Sequence, residues 1–117
     1  MKKNPRELLD ALMGGLQDLG QTNGEHVNAF MGLLGATYKP GAMDTKSKEL
    51  ISVAIAVFSR CEYCIVSHTF KALEAGANRE EIMEAAMVAV AFGGGPAIAY
   101  SVTLLKDSVD EFEKDFK

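Results

Sequence analysis

The chain lacks most of the features by which a sequence declares contact with nucleic acid, lipid or an oxidising exterior. Its 12 lysines and arginines are scattered rather than clustered, and 16 aspartates and glutamates outnumber them, for a net charge of −4. That balance disfavours nucleic acid or an anionic membrane surface as a partner. No apolar run is long enough to span a bilayer, and no basic start leads into an apolar stretch with a small-residue cleavage site. The expectation is a soluble cytoplasmic protein. No sustained apolar/polar alternation marks a strand, and neither an internal repeat nor a low-complexity linker divides the chain. Cysteine is scarce too: there are two, standing together in Cys61-Glu62-Tyr63-Cys64. In a reducing cytosol such a pair is a poor structural staple, which leaves redox chemistry or metal binding.

What remains is helical. With 117 residues, 48% of them hydrophobic, residues 1–117 are expected to form one domain with a modest core. Asn4-Pro5-Arg6-Glu7 has the lettering of a helix start, with an N-cap, proline at N1 and Glu at N3, and Leu8, Leu9, Leu12, Leu16 and Leu19 follow at helical spacing up to Gly20. Thr22 to Glu25 predicts a second start, ahead of a short helix ending at Gly35. Lys39-Pro40-Gly41 reads as a turn, and Asp44 or Thr45 opens a third helix. From Leu50 to Phe58 only Ser52 is polar, so this helix is expected inside the domain or in an interface. Gly76 suits a C′ position, Asn78 with Glu81 predicts a capping box, and Gly93-Gly94-Gly95-Pro96 reads as a tight turn before a final helix. There Ile98, Val102, Leu105, Val109, Phe112 and Phe116 form a heptad-like seam. The fold class is all-α, a single compact domain of five to six helices.

The chemistry gathers at residues 61–68. If Ser59 and Glu62 form a capping box, Cys61 lies in the first turn of a helix, and Cys64 and His68 fall on its face at about 60° and 20°. Unpaired N–H groups and the helix dipole favour a thiolate at Cys61, whereas His68, one turn beyond Cys64, is placed to accept a proton from Cys64. Glu49 opens the apolar run on a face shared with Val53 and Ala56, where burial disfavours a charged carboxylate. Zinc is an alternative, with Cys61, Cys64, His68 and Glu49 as ligands, although no second cysteine pair completes a familiar structural site. His26 reads as a surface or capping residue, and Tyr63 as a packing or interface residue facing away from the cysteines.

Glu49, Cys61, Cys64 and His68, as Glu-x11-Cys-x2-Cys-x3-His, resemble the signature of the alkylhydroperoxidase AhpD-like, or carboxymuconolactone decarboxylase, family. The resemblance spans about Asp44 to Ala77, and the Gly-Gly-Gly-Pro before the last helix is similar as well. It implies an all-helical homo-oligomer, a trimer or hexamer, that reduces hydroperoxides by a dithiol/disulfide cycle with no cofactor or metal. It also implies roles: Cys64 becomes the sulfenic acid, Cys61 is proton donor and disulfide partner, and Glu49 and His68 relay protons. An external dithiol or thiol-redox protein would restore the thiols. The best-known peroxidase members carry a further histidine just before the second cysteine, where this chain has Tyr63. The decarboxylase branch generally lacks the CxxC, so the cysteines argue against lactone decarboxylation. The alternatives to peroxide reduction are general disulfide exchange and a non-enzymatic helical or metal-binding assembly.

Overall fold

A computed structural model describes residues 3–117. Every regular element among them is helical: α1 (Pro5–Thr22), α2 (Gly24–Tyr38), α3 (Thr45–Ser59), α4 (Glu62–Glu74), α5 (Arg79–Gly93), α6 (Gly95–Tyr100) and α7 (Lys106–Phe112). A π-turn over Ser101–Leu105 joins the last two into one rod, which ends in a 3-10 turn at Glu113–Phe116. Counting that rod once, the domain has six helices, within the expected five to six.

Local signals account for most of the starts. The Asn4 side chain accepts from the backbone of Arg6 and Glu7, with Pro5 inside the first turn. Asp44 caps α3 by accepting from Ser47, and Asn78 with Glu81 forms the complete capping box of α5. Gly76 closes α4 at φ 99°, in the left-handed region where glycine is favoured. Elsewhere the helices override their punctuation. Helix α1 runs through Gly20 to Thr22, and Asn23 serves both as its C-cap and as N-cap of α2, so the Thr22 to Glu25 box does not form. Helix α2 likewise passes Gly35 and stops at Tyr38. One interior glycine costs a helix only about 1 kcal/mol against alanine, too little to break an otherwise cooperative run.

Helices α3, α4 and α5 and the last rod enclose the core, with Val53, Val57, Ile65, Ile82, Leu105, Val109 and Phe112 inaccessible to solvent. Full burial of one such side chain contributes about 1.5–3 kcal/mol. Phe70 meets Phe112 and Phe116 edge-on, and the Arg6 guanidinium lies over the Phe112 ring, 5.2 Å from its centre. Arg6 also binds Glu111 and Asp115, tying α1 to the chain's last turns.

One expectation about the apolar faces needs correction. The last helix does not carry one continuous seam: Ile98 and Val102 face solvent while Leu105, Val109 and Phe112 are buried. The π-turn spans the change-over from Val102 to Leu105, and its wider turn shifts the register, so the inward positions leading into it are Ala97 and Ser101. Helix α3 is buried on one side only, at Glu49, Val53, Ala56 and Val57, whereas Ile51, Ile55 and Phe58 are exposed.

Candidate active site at the start of helix α4

Helix α3 runs further into the site than the capping-box lettering suggests. Ser59 is its last residue, with Oγ donating to the Ala56 carbonyl, and Arg60 follows in the left-handed region at φ 57°. The reversal at Arg60 makes Cys61 the N-cap of α4, and the Cys61 Sγ itself accepts from the Cys64 backbone N–H at 3.2 Å. Sequence reading put Cys61 inside the first turn with Ser59 as its cap. The sulfur instead occupies the capping position, so it still meets the unpaired N–H groups of the helix, more directly than expected. Cys64 stands at N3, and the two sulfurs are joined in a disulfide.

His68 lies one turn beyond Cys64 on α4, and its Nδ1 is 2.8 Å from Oε1 of Glu49 on α3. The Glu49 carboxylate is buried, the imidazole about one quarter exposed. A carboxylate at Nδ1 selects the tautomer that carries hydrogen there, which leaves Nε2 as the basic nitrogen. All four residues singled out from the sequence, Glu49, Cys61, Cys64 and His68, thus stand on the two ends of one α3–α4 hairpin.

Sequence reasoning missed Tyr38. Its ring centre lies 5.6 Å from that of His68 with the planes tilted by 32°, and its hydroxyl pairs with Ser52 Oγ. No local signal marks it, because the contact joins residues 30 apart in the chain through the return of α3. Tyr38 and Glu49 also line an open cleft of about 500 Å³ with Lys46, Lys71 and Glu74. At the opposite end, Lys3 binds Glu62 at 2.8 Å, and that hydrogen bond holds the lysine above its ordinary pKa. Tyr63 is exposed, as is His26. No group of three or more His, Cys, Asp or Glu side chains fit to hold a metal occurs among the described residues. No helix among them is long and apolar enough to cross a membrane.

A CxxC pair at bonding distance, capping a helix and followed one turn later by a histidine on a buried carboxylate, is a thiol-redox active site, and the helical domain that carries it is a thiol-based oxidoreductase-type enzyme. The chain belongs to the carboxymuconolactone decarboxylase family, whose model matches residues 24–107. A member of that family from Legionella pneumophila, solved in its apo form, superposes with a TM-score of 0.88 at 33% identity, over 93% of this chain and 96% of that one. An uncharacterized protein of Cupriavidus necator is 37% identical over 83 residues, 71% of this chain and 74% of its own. The alkyl hydroperoxide reductase AhpD of Mycobacteroides abscessus is 31% identical over 100 residues, 75% of this chain and 56% of its own.

Proposed function

We propose that the protein reduces hydroperoxides with Cys64 as the attacking sulfur and an external dithiol as the source of electrons. His68 accepts the Cys64 proton while Glu49 holds its Nδ1–H. The thiolate attacks the terminal peroxide oxygen, the O–O bond breaks, and the leaving alkoxide takes the proton from the imidazolium, giving an alcohol and a sulfenic acid. The Cys61 thiol then condenses with the sulfenic acid, water leaves, and the disulfide closes. A dithiol or thiol-redox protein of the cytoplasm reduces it by exchange. The observation that carries this reading is the Glu49–His68 bond at 2.8 Å, one helical turn from a CxxC pair already joined as a disulfide. A relative named as an alkyl hydroperoxide reductase supports the choice of substrate.

One observation favours general disulfide exchange as a second reading. Cys61 Sγ accepts a backbone N–H at the helix start, a placement that lowers a thiol pKa and suits the first cysteine as nucleophile toward a protein disulfide. Mass measurement of the reduced protein before and after one equivalent of peroxide separates the two. Peroxide reduction predicts loss of two hydrogens, and in Cys61→Ser a sulfenic acid trapped at Cys64. Labelling confined to Cys61 in Cys64→Ser reverses the roles.

The reading extends to assembly as a symmetric homo-oligomer, with a hexamer of single domains as the favoured state over a trimer. Helix α2 buries none of its residues although it carries Val27, Phe30, Met31, Leu33 and Leu34. Helices α3 and α5 border an open apolar groove of about 430 Å³ where Ile55, Phe58 and Phe92 are 60%, 53% and 82% exposed. Exposed apolar surface of this kind marks association, and closed symmetry is its common outcome. Light scattering that returns a monomer with full thiol reactivity would count against it.

A further inference from the structure

The last turn of α2 is fastened to α3 more thoroughly than anything else on that helix. Three successive carbonyls, those of Thr37, Tyr38 and Lys39, accept hydrogen bonds from α3 side chains: Lys48 Nζ donates to the first and third at 2.9 and 2.8 Å, and Thr45 Oγ1 to the second at 2.7 Å. Helix-end carbonyls lack partners within their own helix, and a cation there also complements the dipole. A fourth tie runs through the Tyr38 hydroxyl. Ser52 donates its single hydrogen to the Lys48 carbonyl at 2.9 Å, so toward Tyr38 the Ser52 oxygen is an acceptor and the phenol is the donor. Both the backbone and the hydroxyl of Tyr38 are therefore committed, and the part of the residue that meets the site is its ring against His68.

We propose that Tyr38 is a positioning residue for His68, held by the Thr45, Lys48 and Ser52 clamp, and that it fixes the plane of the imidazole so that Nε2 stays available to Cys64. Glu49 binds Nδ1 from one turn of α3 and therefore sets the tautomer, but one hydrogen bond leaves the ring free to swing about it. The Tyr38 ring, its centre 5.6 Å from that of the imidazole, limits that swing. Because its proton is committed to Ser52, Tyr38 donates none to the reaction. This inference rests on the relay role given to His68 above.

The test is single-turnover oxidation of the reduced protein over a range of hydrogen peroxide concentrations, together with the 15N spectrum of the His68 imidazole. Tyr38→Leu is expected to lower the limiting rate by about ten- to a hundredfold with the concentration dependence unchanged, up to the loss that misplacement of a catalytic group produces. It should also leave in place the tautomer that Glu49 sets, while the 15N signals broaden as the freed ring swings. Tyr38→Phe, which keeps the ring, should restore sharp signals and most of the rate. Should Tyr38→Leu not fold, the Thr45→Val, Ser52→Ala double variant loosens the clamp with the ring in place and is expected to change both readouts in the same direction. A wild-type rate and sharp imidazole signals in whichever variant folds, with His68→Gln slow, overturns the positioning role alone. A wild-type rate in His68→Gln overturns the relay reading instead, and the 15N spectrum still decides whether Tyr38 orders the ring.

Discussion

Exchanging Glu49 for Gln tests the relay at its most buried point. The change keeps the shape of the side chain, and the amide oxygen can still accept from His68 Nδ1 where Oε1 now sits at 2.8 Å. What disappears is the negative charge opposite an imidazole that becomes positive once it takes the thiol proton. A hydrogen bond to a charged partner contributes about 1.5–3 kcal/mol and a neutral one about 0.5–1.5, so about 1.4 kcal/mol is at stake. The carboxylate is buried and the imidazole is only 23% exposed, so solvent screens the pair little. That energy corresponds to about tenfold in rate. Stopped-flow measurement of peroxide consumption by the reduced protein, near neutral pH and in a single turnover, should show Glu49→Gln about tenfold slower with its melting temperature nearly unchanged. Glu49→Leu, which removes the acceptor as well, should be slower still. A Gln variant within twofold of the parent would show that the charge of Glu49 takes no part in thiol activation.

Other outcomes follow from the surrounding structure. Gly94 sits at φ 61° and ψ −136°, a region open to glycine and costly for other residues, so Gly94→Ala should lose about 1–3 kcal/mol in denaturant unfolding. Asn78→Ala removes the capping box of α5 and should cost about 1 kcal/mol by the same assay. Phe112→Ala empties a fully buried site between α1 and the Phe70 ring, and should cost about 3–5 kcal/mol. Arg79 holds Asp110 and Glu113 below the ordinary carboxylate range by hydrogen bonding to them. Depressed folded-state values mean that this contribution is complete above about pH 4 and is lost as pH falls further, so Arg79→Gln should flatten the acid limb of melting temperature against pH.

How legible the fold is depends on whether a signal is local. Asn4, Asp44, Gly76 and Asn78 each act within three or four residues, and each is found in the expected role. Ser59 and Glu62 have the same lettering as a cap and fail, because α3 propagates through Ser59 and the left-handed turn at Arg60 hands the cap to Cys61. Competition between two adjoining helices for one residue is not written in a four-letter pattern. The π-turn at Ser101–Leu105 is equally silent, since its register shift becomes visible only when Leu105 and Val109 meet the core. In the site, the shared face of Cys64 and His68 followed from helical spacing. The pairing of Glu49 with His68 rested on family resemblance, and Tyr38 required the tertiary return of α3 onto α2.

The sulfur that caps α4 couples two equilibria usually considered apart. Folding and disulfide reduction form a closed thermodynamic cycle around Cys61, because the atom that changes bonding on reduction is also the acceptor for the Cys64 N–H. A thiolate accepts that hydrogen bond more strongly than a disulfide sulfur, since charge-assisted bonds are the stronger ones. Whatever free energy the cap gains on reduction therefore appears twice, as extra stability of the reduced helix start and as a more oxidising midpoint potential, at about 30 mV for each 1.4 kcal/mol. A substitution that loosens the first turn of α4 would then make the pair harder to reduce without touching either cysteine.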